Sequence, residues 1–370
     1  MTTDPAQIEE YRFPCGTCGA DMRFAPGTDE LVCDHCGATE AIQLSTGRSD
    51  LKELDFRKGL DLALADADIE ERRVLNCPNC GAQVEFDENA HAAECPFCAT
   101  PVVIDTGTNR SIKPRGLLPF ALTEPEARDR MNAWLGKLWF APNGLRDYAR
   151  AGRAMQGIYV PYWTYDAETS TAYQGKRGDA YYVTKTVTVT VKGKSQKRKQ
   201  RERKIKWREV SGNVSRFFDD VLVLAATSLP KEYTDALAPW DLSALEPYRP
   251  EYLAGFRAEG YTVALEQGYE QARDFMDRMI VRDVKFDIGG DEQQIRNLDT
   301  KVWDITFKHV LLPVWVAAYK YRGKTYRFVV NGRSGAVKGE RPYSAIKIAI
   351  AVVAGLLIAG AVGFVLAQNQ

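Results

Sequence analysis

The sequence predicts an α+β protein made of two small four-cysteine ribbons, a mixed α+β middle domain with long β-hairpins, and one C-terminal helix apolar enough to cross a membrane. Three observations predict it. All eight cysteines fall in four C-x-x-C pairs. The middle of the chain mixes helical and strand periodicities without a regular βαβ alternation. Near the end, twenty residues from Ile348 to Ala367 carry no charge, Asn, Gln or Pro. At 370 residues the chain exceeds what one core usually supports, so several units are expected. A composition of 45% hydrophobic and 26% charged residues excludes a disordered chain. The formal charge balances at 49 basic and 49 acidic residues, so any attraction to nucleic acid or an anionic surface must be local.

Met1 to Glu10 is polar and acidic, without the basic and apolar regions of a secretory signal, which places the bulk of the chain in the cytoplasm. In that compartment, paired cysteines with none left over favour metal ligation over disulfides. Cys15-x2-Cys18 and Cys33-x2-Cys36 define a first ribbon over 11–45, and Cys77-x2-Cys80 and Cys95-x2-Cys98 a second over 76–106. In both, fourteen residues separate the pairs, and the repeat offset of 62 also matches Gly19 with Gly81, Ala20 with Ala82, Phe24 with Phe86 and Ile42 with Ile104. Two ligands on one short turn can face a single ion, and two such knuckles complete a tetrahedron of thiolates. The expected cofactors are therefore two structural Zn2+ ions, because four thiolates leave no open position for catalysis. An iron site of rubredoxin type, redox-active pairs and ligand exchange between the repeats are the alternatives that the same spacing admits. His35 and His91 are read as surface residues.

Ribbons of this kind often bind nucleic acid, but the charge here has the wrong sign. Residues 13 to 44 set Arg23 against Asp21, Asp29, Glu30, Asp34 and Glu40, and residues 76 to 104 hold Glu85, Asp87, Glu88 and Glu94 with no Lys or Arg. Protein docking is the better expectation for the ribbons, and nucleic acid is disfavoured as their partner. Between them, 46–75 reads as a helical connector, with apolar residues at Leu51, Leu54, Leu60, Leu62, Leu64 and Ile69.

The middle domain spans 112–343. Thr123 with Glu126, followed by Met131, Trp134, Leu135 and Leu138, predicts a capped helix, and Leu265 to Met279 a second. Tyr181 to Val191 alternates Thr with Val as a strand does, and Ile205, Trp207 and Val210 suggest the returning strand. The hairpin tip, 192–208, holds ten basic residues and one acid, Glu202. Anionic lipid, an acidic protein and nucleic acid are its candidate partners, beside a merely solvated loop. Val160-Pro161-Tyr162-Trp163 and Leu312-Pro313-Val314-Trp315 echo each other and suggest a divergent duplication with core tryptophans. Asn331-Gly332 marks a tight turn.

The last segment, 346–367, is expected to be a single-pass transmembrane anchor. Its twenty apolar residues rise ~30 Å, the hydrocarbon thickness. Lys338, Arg341 and Lys347 precede it and no basic residue follows, which keeps the rest of the chain cytoplasmic. Ala351, Gly355, Ala359 and Gly363 form a small-residue face suited to self-association or a partner helix. Phosphate-loop, nucleophile-elbow and zinc-protease motifs are missing, His309 reads as a core residue, and no catalytic residue is nominated.

The paired ribbons, Pro161-x-Trp163, Phe218-Asp219-Asp220-Val221-Leu222-Val223, Leu253-Ala254-Gly255-Phe256, and His309-Val310-Leu311-Leu312-Pro313-Val314-Trp315 carry a resemblance. Val330-Asn331-Gly332-Arg333-Ser334-Gly335 and Gly339-Glu340-Arg341-Pro342 extend it. Together they resemble a bacterial family of zinc-ribbon membrane proteins of transcription factor IIB type. Members are often labelled as similar to primosomal protein N′ (replication factor Y), a superfamily II helicase, although this chain lacks a helicase ATP site. Some relatives are encoded beside SPFH (flotillin-like) proteins and the phage-shock protein PspA. The resemblance implies a membrane platform that docks such proteins; the missing motifs make it non-enzymatic, and the basic tip supplies the alternative, a nucleic-acid-binding accessory factor.

Overall fold

The structure, a computed structural model, describes residues 13–43, 51–61, 68–77, 81–85, 92–95, 101–103, 107–140, 155–191, 194–321, 324–340 and 343–368, with residues 64, 79 and 97. The general α+β class is observed. The first cysteine module is an antiparallel meander of β1 (Arg23–Phe24), β2 (Glu30–Val32) and β3 (Thr39–Ala41). After it come β4 (Leu54–Asp55) and a five-residue helix, α1 (Phe56–Leu60), capped by the Asp55 carboxylate, which accepts from Lys58 N at 2.9 Å. The second module contributes β5 (Ile69–Asn76), β6 (Gln83–Glu85), β7 (Ala92–Glu94), β8 (Pro101–Val103) and β9 (Gly107–Ile112).

The connector therefore differs from its expectation as a helix over 46–75. Among its described residues only Phe56–Leu60 is α-helical, and Ile69 to Leu75 lie in β5. The Glu-Arg-rich run from Glu70 to Arg73 has helical propensity, but β5 is held on one side by β6 and on the other by β9. Tertiary pairing decides such short segments over local preference.

The body follows, with β10 (Gly116–Leu117), α2 (Glu124–Gly136), β11 (Gln156–Val191), β12 (Lys194–Leu224) and α3 (Lys231–Asp235). Then come β13 (Glu246–Pro247), β14 (Arg257–Gly260), α4 (Leu265–Ile288), β15 (Glu292–Tyr321), β16 (Lys324–Asn331), β17 (Val337–Gly339) and α5 (Ala345–Gln368). A twelve-stranded sheet has β11 at its centre, antiparallel to β12 on one side and β15 on the other. Thr123 starts α2 as expected, its backbone N–H donating to the Glu126 carboxylate at 2.8 Å. Helix α4 buries one stripe, Leu265, Gly268, Ala272, Met276, Ile280, Val284 and Ile288, at the three- and four-residue steps of a single face. Gly268 is required there, since a Cβ would fall 2.4 Å from Tyr165 Oη.

The two echoing segments are neighbours in this sheet: Val160 pairs with Leu312, Tyr159 with Pro313 and Pro161 with Leu311. Proline in a central strand normally costs a ladder hydrogen bond. Here each sits where its outer neighbour leaves. Pro161 O accepts from Ala225 N at 3.0 Å just beyond the end of β12, and Pro313 O accepts from Gly332 N at 2.8 Å just beyond β16. Trp163 Nε1 donates to Val263 O at 2.9 Å and Trp315 Nε1 to Leu122 O at 3.0 Å. Both tryptophans are core residues, as expected.

Strand alternation at this crossing puts the two cysteine modules on opposite faces. Tyr159, Leu311 and Trp315 pack with Phe24, Leu31, Cys15 and Cys33 of the first module and with Phe120 and Tyr252. Ile158, Val160, Tyr162, Leu312 and Val314 pack with Cys77, Ala82, Cys95 and Phe97 of the second. The β11–β15 crossing thus has one module on each face, and the second also joins the sheet itself, where β6 pairs with β14.

At the other end, β15 stops pairing with β11 at Glu292 opposite Gly178, but β11 and β12 continue as a two-stranded hairpin to Val191 and Lys194. At ~3.3 Å per residue this arm reaches roughly 40 Å past the third strand. Asp291 closes the junction by accepting from Ala180 N at 2.8 Å. The basic tip thus consists mainly of strand.

Candidate metal centre

In the first module the structure brings Cys15, Cys18, Cys33 and Cys36 together, with their four Sγ atoms all within 4.8 Å of one another. The Cys15–Cys36 and Cys18–Cys33 sulfurs stand 3.6 and 3.5 Å apart. A disulfide would need about 2.05 Å, whereas a tetrahedron with ~2.3 Å metal–sulfur bonds has edges of about 3.8 Å. The cluster therefore fits a metal ion.

Each cysteine pair earns its geometry from a tight turn. Gly19 N donates to Cys15 O and Cys15 N to Ala20 O, both at 2.8 Å; Gly37 and Ala38 repeat the pattern around Cys33 at 2.9 and 2.8 Å. Gly19 and Gly37 both have φ of 75°, a left-handed conformation that a side chain resists, although a Cβ would meet nothing within 4 Å at either position. The turns also aim backbone N–H groups at sulfur. Those of Thr17 and Cys18 lower the Cys15 thiol to about 6, and those of Cys36 and His35 lower Cys33. Cys36 is pushed up to about 12 although the N–H of Ala38 favours its thiolate, because Cys18 and Cys15 stand beside it. Four crowded sulfurs cannot all ionise unless a cation joins them. Cys15 and Cys33 are buried, Cys18 and Cys36 open to solvent, and His35 is exposed, as expected.

In the second module the described residues repeat two hydrogen bonds of the first knuckle. Gly81 N donates to Cys77 O at 2.9 Å, Cys77 N to Ala82 O at 2.8 Å, and Gly81 has φ of 72°. Cys77 and Cys95 are buried. Cys80, Cys98 and His91 lie outside the described residues, so the second four-cysteine set is a proposal carried by the repeat.

Sequence reading passed over a second cluster. Asp166 sits at a bulge where the register of β11 shifts against both β12 and β15, and Asp220 takes a left-handed φ of 51°. The bulge turns Asp166 inward, where Oδ1 accepts from Asp220 N at 2.5 Å and Oδ2 from Thr306 Oγ1 at 3.2 Å. The carboxylates of Asp166, Asp219 and Asp220 come within 4.8 Å of one another. Lys308, buried at 6% exposure, supplies the cation: Nζ stands 2.8 Å from Asp220, 3.1 Å from Glu53 and 3.7 Å from Asp166. Burial pushes the Asp166 carboxyl up to about 6 against the pull of the Asp220 N–H and Lys308. Lys308 stays charged despite burial, held by its bond to Asp220. Glu53 belongs to the connector, so the cluster clips the link between the modules to the central sheet. His309 is a core residue, with Nδ1 2.7 Å from Ile112 O and its ring against Trp163.

Glu259 on β14 is the other buried acid. It pairs in the ladder with Val84 of the second module, and Ser228 Oγ donates to it at 2.9 Å. Burial raises its carboxyl to about 8, and Cys95 adds to the rise. A folded-state value above the ordinary 4.5 means that its contribution is fully present below pH 4.5 and lost as pH rises through 8. Glu259→Gln is expected to remove that part of the pH dependence. Urea midpoints of variant and parent across pH 5 to 8 should converge at the acid end and separate in favour of the variant at the alkaline end.

No protein-family model matches the chain, and no solved structure does. The chain is 25% identical over 346 residues to the uncharacterised protein YdjG of Bacillus subtilis, an alignment covering 91% of this chain and 92% of that one. The C-terminal helix, α5, is long and apolar enough to span a membrane, and none of Ala345–Val362 is buried against the body.

Proposed function

We propose that this protein is a membrane-tethered scaffold of the cytoplasmic face, without enzymatic activity, in which two structural Zn2+ ions brace a body that docks partner proteins. The observation that carries the reading is the projecting hairpin. Lys197, Arg198, Lys199, Arg201, Arg203, Lys206 and Arg208 are exposed along it, and among the described residues no third strand pairs with either edge beyond Gly178. Open edges accept a strand from another chain, and the charge selects an acidic one. The ribbons contribute less surface than free modules would, because their apolar sides are spent on the sheet. On the first, the knuckle edge around Cys18, Asp34, His35 and Cys36 stays open. Helix α5 supplies the tether, with Ala351, Gly355 and Ala359 exposed on it for self-association. The resemblance of the sequence points to SPFH- or PspA-type membrane proteins as the partners.

One observation favours a second reading, a nucleic-acid-binding accessory factor. Tyr181 and Tyr182 are exposed on the arm and the Arg201 guanidinium lies 4.9 Å over the Tyr182 ring, the mixture of cations and aromatic faces that single strands use. A pull-down with detergent-solubilised protein separates the two. The parent is expected to retain SPFH- or PspA-type proteins, and a variant with Lys197, Arg198, Lys199, Arg201 and Arg203 changed to Ser to lose them. Nucleic acid captured instead, with a steep salt dependence lost in the same variant, would transfer the case to the second reading.

A further inference from the structure

The residues at the root of α5 make a surface of a particular kind. Trp139 and Phe140, which follow α2, are 73% and 38% exposed, and Tyr343, just before α5, and Ile346, in its first turn, are 60% and 74% exposed. The two stretches are joined: Ser344 N donates to Phe140 O at 2.8 Å, and Lys347 Nζ to Trp139 O at 3.1 Å. The surface is also fixed to the body. Met131 and Leu135 of α2 are buried in the core shared with the first cysteine module, and Trp134 meets Phe328 edge-on at 5.7 Å. Large aromatic side chains are thus held open just past the end of α2, beside the first turn of a helix of which none of Ala345–Val362 is buried.

Exposed aromatic clusters on soluble surfaces mark an interaction site. Trp and Tyr are the residues that settle at the headgroup level of a bilayer, where an amphipathic ring keeps its polar edge wet. Continuity with α5 decides the occupant. If α5 spans the membrane, its first turn lies at the interface, and Trp139, Phe140 and Tyr343 lie at that depth with Lys347 at the phosphate level. We propose that these residues insert into the headgroup layer and seat the body on the bilayer, so that the protein stands in one orientation instead of swinging on a flexible stalk. The proposal rests on the reading of α5 as a membrane span.

The chain has seven tryptophans and α5 none, so tryptophan emission reports the seat. Full-length protein is reconstituted into phosphatidylcholine–phosphatidylglycerol vesicles containing lipid brominated at a shallow acyl position, and Trp139→Phe is compared with the parent. Both proteins should float with the vesicles, and the variant should lose most of the bromine quenching. Equal quenching in floating samples of both overturns the seat and leaves the tether intact. Failure to float removes the tether and the seat with it. A spectral shift of Trp139 that follows protein concentration and is indifferent to vesicles assigns the surface to a second copy and also overturns the proposal.

Discussion

Cys33→Ser is expected to damage far more than the ribbon that holds it. Cys33 is 1% exposed and shares one buried cluster with Phe24 and Leu31 of its own module and with Phe120, Tyr252 and Trp315 of the body. Phe24 meets Tyr252 edge-on at 5.0 Å, and its N–H donates to Ala254 O at 2.9 Å. Structural zinc contributes about 10–16 kcal/mol to the folding of small ribbons. Removing a ligand dissolves the meander, and the apolar side of the body it covered turns to water. The expected loss is about 4 kcal/mol or more, the range reserved for lost metals and cores. Urea unfolding followed by tryptophan emission, with metal content measured alongside, checks it. A variant that loses one equivalent of metal yet unfolds at the parent midpoint would show that the module is an appendage. Cys18→Ser, at the solvent side of the site, should lose the same equivalent.

Lys308→Met should be the next most damaging change. It leaves Asp166 and Asp220 facing each other in the interior with no cation, a situation that costs about 3–5 kcal/mol. The cost should depend on pH. Asp166 already has a carboxyl raised to about 6 from an ordinary 3.8, so its stabilising state is the protonated one, fully present below 3.8 and lost as pH rises through 6. Without Lys308 that carboxyl rises further, so the variant should be weakest near pH 8 and recover towards pH 5. Adding Asp166→Asn should restore part of the loss at pH 8, a coupling that a double-mutant cycle measures. A pH-independent deficit would mean that Lys308 acts only through its aliphatic stem.

Much of this was legible because it is local. Knuckle turns follow from C-x-x-C-Gly, the start of α2 from Thr123 and Glu126, the stripe of α4 from a 3.6-residue period, and the hairpin arm from Thr–Val alternation. The echo around Pro161 and Pro313 was visible, but that the two copies lie side by side in one sheet was not, because pairing over such a separation leaves no periodic trace. The same holds for Glu53, Asp166, Asp220 and Lys308: four scattered residues become a cluster only through a bulge, a left-handed aspartate and a strand from the connector. The connector failed for the complementary reason, a helix-favouring run captured by pairing with β9 in a strand whose far end is held by β6. The cysteine repeat was visible in the sequence, but not that its two copies would pack on opposite faces of the β11–β15 crossing.

The order in which the sheet assembles follows from its register. Strands β11 and β12 are consecutive and close on each other locally, from Val191 opposite Lys194 outward. Strand β15 must join them across the whole of β12, β14 and α4, since Gly178 meets Glu292 and Gln156 meets Val316. Contacts so distant in the chain are slow to form. Until they do, the edge of β11 from Gln156 to Gly178 offers unpaired N–H and C=O groups to any other chain. A one-residue slip on docking would invert every side chain of β15, and the bulge at Asp166, with Lys308 as its mate, admits a single alignment. The buried charge cluster is then a key for strand entry as well as a clip, and refolding mixtures that lack it should accumulate misregistered, sticky species before they accumulate native protein.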